Sequence, residues 1–132
     1  MLFAERSRGE LVIQSLVDPS EERFVPIMPN FNVRGPTALD IDFREDRIYW
    51  TDVYLDTISR VFINGSSPEI LVTENVSNSE GLAVDPLGGN IYWTDAGVPK
   101  IEVSRLDGAM RKTLIDQNLD HPVDIILDLY NG

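Results

Sequence analysis

Five aspartates recur at fixed places along this chain. Asp42, Asp85 and Asp128 form one series, Asp52 and Asp95 another, with 43 residues between members. Carboxylates so arranged could ligate a metal or act as acids and bases. A catalytic group seldom needs a copy in every unit of a repeat, whereas a buried carboxylate accepting backbone N–H bonds does. The structural reading is therefore preferred. His121 is the only histidine, so one chain can build neither a Ser-His-Asp triad nor a multi-histidine metal site. A pH-sensing role is open to it, because histidine titrates near physiological pH; an ordinary loop residue is the simpler reading. No phosphate-binding, dinucleotide-binding or zinc-spacing motif occurs. The expectation is no catalytic residue, no cofactor, no metal and no enzyme activity.

The aromatic residues repeat as well. Tyr49-Trp50-Thr51-Asp52 returns as Tyr92-Trp93-Thr94-Asp95. Exposed, these rings could form a sugar- or peptide-binding platform. Adjacent residues of a strand point to opposite faces, however, so each ring can fill space between stacked sheets. These eight residues are expected to be scaffold.

The elements that position them follow from the same period. Shifting by 43 residues puts Leu39 on Leu82, Ile48 on Ile91, Ile58 on Ile101, Asn64-Gly65 on Asp107-Gly108 and Leu71 on Leu114. A second shift puts Leu82 on Ile125 and Val84 on Leu127. Each unit reads as four short strands: Ala38–Asp42, Ile48–Thr51, Thr57–Phe62 and Glu69–Val72 in the first. Their β-branched, aromatic and alternating apolar residues suit a sheet. Asn64-Gly65 and Asp107-Gly108 are strong hairpin signals, since such turns need positive φ. Four antiparallel strands per unit of about 40–45 residues predict an all-β fold of β-propeller blades. The expected layout is a degenerate blade lacking its first strand (1–35), two full blades (36–78 and 79–121), and the first strand of a further blade (122–132). That makes twelve strands.

The chain has 132 residues, with 22 acidic against 11 basic, for a net charge of −11. This excludes nucleic acid, whose binding rests on neutralising phosphates, and suits cationic partners. No apolar run approaches the length that spans a bilayer, so no direct membrane contact is expected. The opening residues hold no signal-peptide hydrophobic region. Absence of cysteine leaves the compartment open. Two Asn-X-Ser sequons begin at Asn64 and Asn75 and mark candidate glycosylation sites; Asn64 also reads simply as a turn residue.

Ile48-Tyr49-Trp50-Thr51-Asp52, Gly81-Leu82-Ala83-Val84-Asp85, Ile91-Tyr92-Trp93-Thr94-Asp95, Arg105-Leu106-Asp107-Gly108 and Arg111-Lys112-Thr113-Leu114-Ile115 resemble the YWTD repeats of the low-density lipoprotein receptor family. The stretch Leu2–Leu16 and Ile101-Glu102-Val103 resemble its Wnt co-receptor and agrin-receptor subgroup. The resemblance implies about half of a six-bladed propeller in an extracellular ectodomain of a single-pass receptor. It also implies neighbouring EGF-like modules and a secreted protein ligand, in endocytosis or Wnt-type signalling. A fragment of a longer receptor is the preferred account; two chains closing a six-bladed ring by exchanging a strand is the other. A propeller hydrolase with a channel metal is the alternative from another class. It would need a cluster of distinct acidic and Asn residues from different blades, and none stands out.

Strand alternation places the binding face. The turns between second and third strands share an end with the linkers that enter each first strand. Arg6, Tyr54, Asp56, Asn78, Glu80 and His121 are the candidates there. Tyr54 is an exposed aromatic anchor, and the acidic neighbours favour a basic loop of the partner. A glycan on Asn75 would crowd this rim, whereas Asn64 lies at the other end.

Overall fold

In a computed structural model, residues 31–116 are described in full, and Leu2–Glu5, Glu10–Gln14 and Glu22–Phe24 are described by their backbone. Among the described residues there are eleven strands and no helix. The strands are β1 (Leu2–Glu5), β2 (Glu10–Gln14), β3 (Glu22–Phe24), β4 (Pro36–Asp42), β5 (Arg47–Asp52), β6 (Thr57–Phe62), β7 (Glu69–Val72), β8 (Leu82–Asp85), β9 (Asn90–Asp95), β10 (Lys100–Arg105) and β11 (Lys112–Ile115). They form three meanders: a three-stranded sheet β1-β2-β3 and two four-stranded sheets, β4-β5-β6-β7 and β8-β9-β10-β11. All pairings are antiparallel. The all-β fold class read from the repeat is the one observed. The twelfth expected strand, with Asp128, falls outside the described residues.

β4 lies beside β1 on one side and β8 on the other. Sheets sharing such a row stack face to face like blades. The core between the two four-stranded sheets contains Tyr49, Ile58, Val72 and Val76 against Leu82, Val84, Ile91 and Trp93. The opposite face of β4–β7 buries Ile48, Trp50 and Val61, with Phe31 and Val33 packed on them. Tyr49 and Trp50 thus serve different interfaces because neighbours in a strand face opposite ways. The Phe31 ring meets Trp50 edge-on, at 5.9 Å and 69°. Polar bonds also join the four-stranded sheets. Val84 N donates to Asp40 Oδ2 at 2.8 Å, and Arg60 Nη1 donates to the Leu106 carbonyl at 2.9 Å.

The hairpin tips differ from expectation in one respect. Within the Asn64-Gly65 and Asp107-Gly108 pairs it is the glycine alone that has positive φ, at 85° and 87°, with Ser67 and Met110 further along the loops at 50° and 55°, whereas a two-residue Asn-Gly turn would put both residues of the pair there. Gly65 N instead donates to Phe62 O, and Phe62 N to Ser66 O, so the glycine follows the turn proper. Asn64 Oδ1 braces this tip by accepting from Ser66 N and Oγ at 3.0 and 2.6 Å.

Candidate functional site: the loop rim and its unequal corners

The rim begins with the carboxylates that shape it. Asp52 is buried and accepts four backbone N–H groups. Arg34 and Gly35 donate from the segment entering β4, at 2.8 and 2.9 Å, while Tyr54 and Leu55 donate from the β5–β6 turn, at 3.1 Å each. Asp95 is equally buried and accepts from Ser77 N, Gly97 N and Val98 N at 3.0, 3.0 and 3.1 Å. Each carboxylate ties one turn to one linker. Desolvated donors bound to an ionised acceptor make strong hydrogen bonds, so the geometry serves shape and leaves no free oxygen pair for chemistry. At the other end Asp42 is buried and accepts Arg44 N at 2.9 Å, while Asp85 is only half-buried and accepts Gly88 N at 3.0 Å.

Tyr54 and Asp56 stand in the β5–β6 turn, and Tyr54 is 66% exposed. Its ring lies against the bare α-carbon of Gly35: a Cβ added there would come within 2.8 Å of Tyr54 Cγ and Cδ2. Part of the ring therefore packs on Gly35, while most of its surface faces solvent. Asp56 has φ 52° and Asn78 φ 55°, left-handed values that Asp and Asn tolerate better than most residues. Asn78 is exposed and Glu80 half-buried in the linker between β7 and β8. Topology puts both at the same end of the sheets as Tyr54 and Asp56. Arg6 and His121 fall outside the described residues. Asn64 and Asn75 are both exposed, at opposite ends of the sheets.

One constellation was not foreseen. Glu102 on β10 is 4% exposed. Its Oε2 accepts from Arg111 Nη2 and Nε at 2.6 and 3.2 Å, and Oε1 lies 3.5 Å from Lys100 Nζ. Arg111 continues to the linker, donating to the carbonyls of Glu74 (2.6 Å) and Asn75 (2.9 Å). Its guanidinium also sits 5.5 Å from the Trp93 ring centre, within reach of a cation–π interaction. The preceding sheet has Ser59 and Pro68 at the positions of Glu102 and Arg111. Attention to what repeats passes over this cluster; the sequence signal was a departure from the repeat.

Such a fold, with loops of successive blades gathered on one rim, defines a β-propeller segment. The chain belongs to the family described as low-density lipoprotein receptor repeat class B, whose model matches residues 46–86 and 89–129. It is 41% identical over 81 residues to human low-density lipoprotein receptor-related protein 4, a match covering 61% of this chain and 4% of that protein. With human low-density lipoprotein receptor-related protein 5 it shares 48% identity over 54 residues, 41% of this chain and 3% of the relative. A chain in the crystal structure of a nidogen/laminin complex superposes with a TM-score of 0.78 at 32% identity, over 87% of this chain and 43% of that one. The matched region is thus a small part of the receptor-related proteins. Its family and fold are those of receptor propeller domains.

Proposed function

We propose that this chain is a protein-binding propeller region of an extracellular receptor-related protein, and that Tyr54, Asp56, Asn78 and Glu80 lie on its ligand rim. Arg6 and His121, outside the described residues, are proposed for the same rim from strand alternation in the sequence alone. The observation carrying this reading is Tyr54: a large aromatic, mostly exposed, with part of its ring packed on Gly35. An exposed aromatic of this kind is an effective anchor for a partner. Asp56 and Glu80 beside it favour a basic loop from a secreted protein. The nidogen/laminin neighbour and the receptor names of the relatives support protein binding as the activity. Endocytosis or Wnt-type signalling, EGF-like neighbours and glycans on Asn64 and Asn75 belong to the same proposal.

The test is to pan a library of disulfide-closed peptide loops against the chain and measure the enriched loops by calorimetry. Basic loops should emerge, and Tyr54→Ala should weaken them about tenfold or more, as loss of an anchor does. Enrichment of acidic loops, or affinity unmoved by both Tyr54→Ala and Asp56→Lys, would overturn the assignment.

A further inference from the structure

An enzyme that joins a sugar to asparagine must grip the whole sequon, the asparagine and the hydroxyl residue two places on. The segment has to leave its neighbours for that grip, and the contacts it surrenders set how often it does so. The two sequons of this chain differ on that count.

Asn64-Gly65-Ser66 caps the β6–β7 hairpin, and Asn64 and Ser66 are both exposed. Among the described residues its hydrogen bonds are local. Asn64 Oδ1 accepts from Ser66 N and Oγ, an Asx turn. Gly65 N donates to Phe62 O, and Ser66 O accepts from Phe62 N. None of these bonds uses Asn64 Nδ2, the atom that would carry the sugar. The matching hairpin makes the same turn with Asp107-Gly108-Ala109, where Asp107 Oδ1 accepts Ala109 N at 3.0 Å. A hairpin of this kind therefore needs neither the amide of Asn64 nor the hydroxyl of Ser66.

Asn75-Val76-Ser77 is built into the junction of the two four-stranded sheets. Asn75 is exposed, but its carbonyl accepts from Lys100 Nζ at 3.3 Å and Arg111 Nη2 at 2.9 Å. Val76 is 6% exposed and sits in the core between the sheets. Ser77 N donates to the buried Asp95 at 3.0 Å, and Ser77 O accepts from Gly97 N at 3.0 Å. This sequon leaves its place only by unpacking Val76 and giving up bonds to Asp95, Gly97, Lys100 and Arg111.

From this contrast we infer that Asn64 is the carbohydrate-attachment site of the folded chain, and that docking of β8–β11 on β4–β7 closes Asn75 to attachment. The sugar donor is a lipid-pyrophosphate-linked oligosaccharide. Asn64 Nδ2 bonds to its anomeric carbon, the bond from that carbon to the pyrophosphate oxygen breaks, and the amide proton passes to a base of the transferring enzyme. A glycan reaches Asn75 only before the sheets dock. Sugar on Asn64 stands at the end of the sheets away from Tyr54, so the proposed ligand rim stays clear. That sugar is present at all rests on the extracellular reading proposed above; which site takes it follows from the contacts.

The test is to incubate the full chain, prepared without glycans, with a purified oligosaccharyltransferase and a lipid-linked oligosaccharide. Initial rates at each asparagine are read by mass spectrometry of proteolytic fragments. Each is divided by the rate of a free peptide, spanning 60–69 or 71–80, which removes the intrinsic difference between the sequons. Asn64 should keep most of its peptide rate. Asn75 should lose about tenfold or more, the factor that unpacking one valine alone imposes. Val76→Ala should restore part of the Asn75 rate and leave Asn64 unchanged. The inference is overturned if Asn75 keeps its peptide rate in the folded chain, if Asn64 falls as far as Asn75, or if Val76→Ala leaves the Asn75 rate where it was. These rates involve neither Tyr54 nor any partner, so the failure of the ligand rim and the failure of this site order are recognised separately.

Discussion

The two four-stranded sheets have one register and one hydrogen-bond plan, yet their outer halves are built differently. In β4–β7 the bulge between β6 and β7 falls at Ile58/Ser59, and in β8–β11 the bulge falls at Ile101/Glu102. The same kink therefore turns a serine in one sheet and a glutamate in the other. The first sheet places its long cation on the opposite face: Arg60 reaches Glu69 and the Tyr49 hydroxyl there, and bridges to Leu106. The second sheet aims Arg111 back over Trp93 and onto the linker. A blade requires its aspartate and its aromatic pair; what surrounds them is free to be specialised.

The largest break between the sheets should come from Arg111. Removing it as Arg111→Ala takes from the buried Glu102 its closest cation, leaving Lys100 at 3.5 Å and the Thr113 hydroxyl at 3.3 Å, and frees two linker carbonyls. Orphaning one partner of a buried ion pair costs about 3–5 kcal/mol; with Lys100 still in place the loss should be smaller, about 2 kcal/mol, read as a lower urea midpoint. Replacing both partners, as Glu102→Leu with Arg111→Met, should recover most of that loss, because no uncompensated charge remains. Pro68→Ala, at the equivalent position of the first sheet, should have little effect. Equal losses in the single and double variants would show that Arg111 stabilises by packing on Trp93 alone.

A smaller contrast lies in the motif threonines. Thr51 Oγ1 accepts Ala38 N at 3.1 Å. Thr94 is as deeply buried, but its hydroxyl has no hydrogen-bond partner among the described residues. Thr51→Val leaves a donor unsatisfied and should cost about 1–2 kcal/mol, while Thr94→Val removes an unpaired hydroxyl and should be neutral or stabilising. Denaturation of the two variants side by side checks this. A loss at Thr94 matching that at Thr51 would mean the hydroxyl is satisfied by a bound water.

Much of the scaffold was legible because it repeats. Thr57–Phe62, Glu69–Val72 and Lys112–Ile115 appear with the ends read from residue pattern, and the first and second strands of the units differ by a residue or two. The local backbone was harder to read. Asp46 has φ 56° where its counterpart Gly89 has φ 74°; nothing in an aspartate announces a left-handed turn as a glycine does. The Glu102 cluster was not legible for a different reason. It joins Arg111 to Glu74 and Asn75, 37 and 36 residues away, through carbonyls that any residue type would supply. Only the fold brings those groups together.

The smallest contrast is silent at neutral pH. Tyr49 is fully buried, and its hydroxyl accepts a long hydrogen bond of 3.4 Å from Arg60. Burial pushes its pKa above the ordinary 10.0, and the Arg60 bond and charge only partly offset this. Val103 stands in the second sheet where Arg60 stands in the first, so the Tyr–Arg contact belongs to one blade only. Below pH 10.0 the phenol is protonated in folded and unfolded chains alike, and its contribution to stability is complete. As pH rises past that value the unfolded chain releases the proton first, while the folded chain holds it up to its own higher pKa. Stability should therefore fall with pH across that interval. Tyr49→Phe removes the titrating group and should flatten this part of the urea midpoint curve. At neutral pH it should cost no more than about 0.5–1.5 kcal/mol, the net worth of one hydrogen bond. Parallel curves for the two proteins above pH 10.0 would mean that water reaches the Tyr49 hydroxyl, and that the face shared by the two sheets opens more readily than its packing implies.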